Sequence, residues 1–177
     1  MISYSPNTLF RHVTSARAST THLLVASLVS IALGVLFYVF FREPSALYLF
    51  EKISLPWQSI TIPNWAFWLN SIPTLFHALS FSLVTVVVLS KTANSIAFAC
   101  FFWAFINTIF EAGQLLQAYP AWLTDAASSI ATAVFAYFVN GVFDPLDIVF
   151  AWSGALVAYC FSRIIYFQQY DKYGAMK

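Results

Sequence analysis

The chain has 177 residues, of which 60% are hydrophobic and only 8% charged, with a formal net charge of +1. Soluble domains carry about 25% charged residues, so this composition excludes an ordinary soluble globule and points to a polytopic membrane protein. The near-neutral balance offers no basic surface for nucleic acid, which we exclude as a partner.

Residues 1–22 are short and polar, with Arg11, His12, Arg17 and His22. Residues 23–41 form the first expected span, close to the ~20 apolar residues needed to cross the hydrocarbon. Its apolar core is too long for a signal peptide, and Phe40, Phe41 and Arg42 offer no small-residue cleavage site, so we read it as retained. Residues 42–72 are mixed. Pro44 opens a short helix there, and Trp57, Trp65 and Trp68 read as interfacial anchors. Asn70 and Ser71 then offer a cap, and Pro73 suits a first helical turn.

The second expected span covers about 73–90 and is ended by Lys91, with a tight turn at Thr92, Ala93 and Asn94. The third covers about 95–116, and Pro120 closes it. Asp125 can cap a helix over 126–139, but that segment is too short to span, so we read it as surface-lying or re-entrant. The fourth span covers about 147–165 and a polar tail follows. Cys100 and Cys160 both lie in apolar runs and read as small packed hydrophobes. The fold expected is an all-α membrane protein: a four-span helical bundle, one integral membrane domain over 1–177, with interfacial or re-entrant helices on the outer side.

Charge sets the orientation. With the N- and C-termini cytoplasmic, Arg11, Arg17, Lys91, Arg163, Lys172 and Lys177 are inside, and only Arg42 and Lys52 are outside. The acids fall the other way: all but Asp171 are outside. Residues 92–162 contain no lysine or arginine, so Glu111, Asp125, Asp144 and Asp147 have no basic neighbour in sequence.

This topology brings four polar groups towards one layer near the outer face. His77 lies one turn below the outer end of the second span, Glu111 and Gln114 close the third, and Asp147 opens the fourth, with Asp144 just before it. Asn107, Glu111 and Gln114 share a helical stripe; we read Asn107 as a hydrogen bond between helices. Asp147, Ala151, Gly154 and Ala158 share another, whose small residues suit close helix contact in lipid. Intramembrane acids are costly and so point to function. The layer can bind a headgroup, a cation or another ligand, relay protons, or lock the bundle. No HExxH, GxSxG or P-loop is present, and we expect no cofactor, no dedicated metal centre and no catalytic residue.

Three motifs together resemble the VanZ-like family of small polytopic membrane proteins. They are the His77 helix that follows Ser71-Ile72-Pro73, the Glu111-Ala112-Gly113-Gln114 helix end, and Asp147 followed at plus seven by Gly154. The resemblance covers about residues 70–160. The chain departs from it at Ala151, where the family often has Asn, and in the loop before Asp147, which lacks the family's Arg. The resemblance implies a cell-envelope protein, here of the bacterial inner membrane; the family's namesake is associated with resistance to the glycopeptide teicoplanin. The alternative is an accessory subunit of a larger membrane complex, with a membrane-protein partner or a homo-oligomer. An intramembrane enzyme or transporter stands third.

Overall fold

Small side chains inside and large ones outside organise the bundle. The computed structural model describes residues 6–41, 63–89, 92–116, 135, 138, 139 and 141–174, with side chains described from residue 19 to residue 166. Four helices and one 3-10 segment follow in order: α1 (Pro6–Phe41), the 3-10 segment (Asn64–Ser71), α2 (Ile72–Val88), α3 (Ala93–Gly113) and α4 (Pro145–Gly174). Each helix contributes a stretch long and apolar enough to cross a membrane: Ser19–Phe41, Asn64–Val88, Ala93–Gly113 and Pro145–Tyr166. The protein is thus a four-helix membrane bundle, and no strand occurs among the described residues. The expected Pro44 helix, Trp57 and Asp125, and most of the expected 126–139 helix, lie outside the described residues.

Helix ends differ from the sequence reading for local reasons. α1 starts at Pro6, so the polar head is helical and continuous with the span. Proline is favoured in a first turn because its missing N–H would have had no partner. At 1.5 Å per residue the 36 residues of α1 reach about 54 Å, well beyond the hydrocarbon. α3 starts at Ala93 because Thr92, read as part of a turn, is its cap: Thr92 Oγ1 accepts from the Ser95 backbone N–H at 3.2 Å. α2 has Ser71 at its cap position, but the Ser71 side chain makes no capping bond. The 3-10 segment runs straight into α2, and the Ile72 N–H already donates to Leu69 O. Trp65 and Trp68 on this segment are exposed, at 76% and 40%.

α2 is the central helix. It packs on α1, α3 and α4, while α1 touches α4 only slightly. Consecutive helices run antiparallel, as paired contacts show: Ser27 with Ser80 and Gly34 with Phe76 for α1–α2, and Trp152 with Thr108 and Asp144 with Glu111 for α4–α3. The core is built of small and medium side chains, among them Ala99, Ala104, Ala155 and Ala158 around Leu23, Leu83 and Val86. Phe98, Phe101 and Leu28 point outward, each more than 60% exposed. Serines are buried instead: Ser19, Ser27, Ser30, Ser80, Ser82 and Ser162. That inversion suits lipid, where helix association comes from close contact and polar bonds rather than from expelling water. Both cysteines are free thiols; Cys100 is buried and Cys160 faces outward.

Two devices tie the helices. Ser27 and Ser80 bond reciprocally: Ser27 Oγ donates to Ser80 O at 3.1 Å, Ser80 Oγ donates to Ser27 O at 3.0 Å, and the hydroxyls lie 2.9 Å apart. A Trp–Thr pair is used twice. Thr85 Oγ1 donates to Phe81 O on its own helix and accepts Trp103 Nε1 at 2.7 Å from α3. Thr108 Oγ1 donates to Ala104 O and accepts Trp152 Nε1 at 3.0 Å from α4. Each threonine spends its proton locally and its lone pair on the neighbour. Ser27→Ala and Ser80→Ala should each cost about 1 kcal/mol. A double-mutant cycle read by unfolding in detergent should give less than the sum, because the two changes remove shared bonds.

Candidate functional site

The polar end of the bundle is assembled where α3 stops and α4 starts. α3 unwinds through three i→i+3 bonds: Gln114 N to Glu111 O at 3.0 Å, Leu115 N to Ala112 O at 3.1 Å, and Leu116 N to Gly113 O at 3.0 Å. α4 opens with Asp144 as its cap. Asp144 Oδ1 accepts the Leu146 N–H at 2.9 Å, and Asp144 O accepts the Asp147 N–H at 3.0 Å. Pro145 fills the first helical position and Asp147 the third, where a carboxylate faces the positive end of the helix dipole.

Glu111 is the group that joins the two ends. An acid in the last turn of a helix meets the negative end of the dipole, and this one is only 8% exposed. It is held by donors. Gln114 Nε2 donates to Glu111 Oε1 at 3.3 Å, and the Asp144 backbone N–H donates to Glu111 Oε2 at 3.3 Å. The carboxylate thus reaches across the gap to the N-terminus of α4, where unpaired N–H groups favour an anion. Asp144 is committed to its capping bond, so its carboxylate supports the site. Asp147 stands half-buried in the same first turn, with its Oδ1 fully buried.

Below Asp147 the stripe of small residues lies against α2. Ala151 and Ala158 are fully buried, and Gly154 sits on the α2 backbone at Leu75 and Leu79. No glycine among the described residues has a positive φ, so Gly154 serves by its missing side chain rather than by its conformation. Asp147 thereby stands two turns above a close approach of α4 to the α2 backbone.

His77 and Asn107 stand apart from this end. Residue 76 is the midpoint of the Asn64–Val88 stretch, so His77 lies at mid-membrane depth. Ser27 facing Ser80 agrees: it puts His77 level with Ser30, the midpoint of Ser19–Phe41. Glu111 and Asp147 each lie about eight residues from the midpoints of their own stretches, or about 12 Å towards the membrane surface. The sequence reading placed His77 shallower because it began the span at residue 73, without the 3-10 segment. The imidazole is exposed, packs on Phe81 with ring centroids 4.5 Å apart, and hydrogen-bonds none of the described residues. Asn107 bridges no helices among the described residues. Its Nδ2 donates to Trp103 O of its own helix at 2.7 Å, the nearest acceptor one turn back.

Three residues unmarked in the sequence reading, Gly141, Thr108 and Trp152, complete the site. Gly141 lies under Gln114: a Cβ there would fall 2.7 Å from Gln114 Cγ and Cδ, so Gly141 keeps Gln114 in place. Thr108 and Trp152 close α3 against α4 about one turn below Glu111. Ser71 is fully buried, and its Oγ has no hydrogen-bond partner among the described residues. Among the described residues no three His, Cys, Asp or Glu side chains gather as a metal site. What the end offers is acceptor oxygen: two carboxylates, from Glu111 and Asp147, at interfacial depth. Comparison with known proteins finds no matching family model, no matching curated protein and no matching solved structure.

Proposed function

We propose that this chain is a VanZ-like integral membrane protein of the cell envelope whose Glu111–Asp147 end binds the headgroup of a lipid or lipid-like ligand. One observation carries the reading. A buried carboxylate stands at an unfavourable helix end, held by Gln114 and the Asp144 N–H. Retaining an acid in such a place costs stability, and a ligand contact is a reason to retain it. Two features support the choice of ligand. Residues 92–162 carry no lysine or arginine, so a cationic headgroup meets no repelling charge from the helix segments that carry these acids. Its depth, about 12 Å from the bundle midplane, is close to where headgroups begin. The excess of basic residues at the opposite end supports an outer-face site in this reading.

Asp147→Asn tests the reading. The variant should accumulate in the membrane and melt in mild detergent like wild type. It should lose the extra stabilisation that wild type gains when phosphatidylethanolamine replaces phosphatidylglycerol in the micelles. Loss of accumulation would make Asp147 a support of the bundle, as the accessory-subunit alternative expects. An unchanged lipid response would remove it from the site.

A further inference from the structure

His77 is an exposed polar side chain at mid-membrane depth, where lipid tails offer no hydrogen-bond partner. An ionisable group in such a place points to a polar partner beyond the helix that carries it. His77 heads an outward stripe on α2 with Phe81, Val84 and Val88, of which both valines are exposed. Phe81 joins this stripe to α3. Its ring lies against His77 with centroids 4.5 Å apart and stacks on Trp103 with centroids 4.7 Å apart.

Asn107 completes this face from α3. The Trp103 ring meets Phe81 and Thr85, so Trp103 is level with that turn of α2. α2 and α3 run antiparallel. One turn on along α3, at Asn107, and one turn back along α2, at His77, therefore lie at about the same depth. The bond from Asn107 Nδ2 to Trp103 O uses one amide hydrogen. The second hydrogen and the Oδ1 lone pairs make no bond to the described residues. A neutral imidazole has one N–H and one lone pair to offer, and His77 bonds none of the described residues. Each chain thus carries, at one level of one face, a donor–acceptor ring and an amide that can pair with it.

We infer that this α2–α3 face is the contact between two copies of the chain, in which His77 of each copy hydrogen-bonds Asn107 of the other. Depth and complementarity favour a second copy as the occupant. A two-fold axis along the membrane normal keeps every group at its depth, so two groups that share a level on one face meet reciprocally. The face holds both halves of the pair, and two copies make two equal bonds. A lipid tail can make neither. Phe81, Val84 and Trp103, which surround the pair, are uncharged, so no like charges oppose the approach. The contact is independent of the headgroup reading, because it uses none of the residues of the Glu111–Asp147 end.

The experiment is light scattering of the full chain in mild detergent over a range of protein concentrations. Wild type should be a dimer. His77→Ala and Asn107→Ala should each raise the dimer Kd about tenfold, the scale of two interhelical hydrogen bonds lost together. The double variant should be no weaker than either single one, because each change removes the same two bonds. A second measurement locates the contact without touching the pair. In a Cys160→Ser background, Val84→Cys should form a disulfide-linked dimer in the membrane under mild oxidation, and Val29→Cys, on the exposed side of α1, should not. A monomeric wild type would overturn the inference. So would a dimer that both alanine variants leave at wild-type strength, or cross-linking at residue 29 and not at residue 84.

Discussion

Gly154→Ala is expected to destabilise the bundle by about 3 kcal/mol, the upper end of what overpacking costs in a dense interior. The added methyl would collide with the Leu75 carbonyl oxygen, and would stand 3.1 Å from the Leu75 carbonyl carbon and 3.2 Å from the Leu79 nitrogen. All three are backbone atoms inside a helix, so no rotamer can swing clear. The only relief is to move α4 away from α2. That motion would open contacts along the seam held by Ala151, Ala155 and Ala158, all now buried. The control is Gly34→Ala at the α1–α2 crossing. A methyl there meets Phe76 Cβ at 3.1 Å and Pro73 O at 3.6 Å, a crowding that a shift of a few tenths of an ångström relieves. Its expected cost is under about 1 kcal/mol. Unfolding in detergent with increasing SDS compares the two directly. Equal stability of Gly154→Ala and wild type would mean that α2 and α4 do not approach this closely.

The consequence reaches the polar end. Asp147 sits two turns above Gly154 on the same stripe, so separating α4 from α2 also displaces Asp147 from its place at the polar end. A Gly154 variant that still accumulates should therefore show a weakened response to phosphatidylethanolamine as well as a lower Tm.

Hydrophobic run length sufficed to read the four spans, because crossing about 30 Å of hydrocarbon demands a long apolar helix whatever surrounds it. It did not reveal where the helices end. α1 extends back to Pro6 and α4 on to Gly174, since a helix that leaves the membrane needs no apolar residues to continue. Side-chain partners were harder still. Periodicity placed Asn107 and Glu111 on one stripe, but the stripe does not say that Asn107 finds its acceptor one turn back on its own helix. His77 has the same limit: its depth depends on the 3-10 segment, whose Pro63 start and tryptophans read as surface rather than as span. Gly141 and Thr108 matter through residues more than twenty positions away in sequence, Gln114 and Trp152, and no local pattern signals such contacts.

Glu111→Ala is the second large effect expected, at about 2 kcal/mol. The change removes both acceptors at once. The Asp144 N–H and the Gln114 amide each lose a partner in a part-buried setting, and a donor stripped of its bond costs more than the bond contributed. The loss concentrates at the start of α4, because the Asp144 N–H is what ties that cap to α3. Hydrogen exchange over residues 141–147 should quicken about thirtyfold, which is 2 kcal/mol of local opening, while exchange in α1 stays unchanged. Glu111→Gln separates charge from support. Its amide oxygen can still accept the Asp144 N–H. Its new NH2 group faces the Gln114 NH2, and Gln114 can turn its own amide over to present Oε1 instead. That variant should keep most of the protection at 141–147 and lose only the negative charge. If the glutamine variant holds the cap but loses the phosphatidylethanolamine response, the charge of Glu111 serves the ligand. If both variants exchange alike and respond alike, Glu111 serves the joint between α3 and α4 and nothing more.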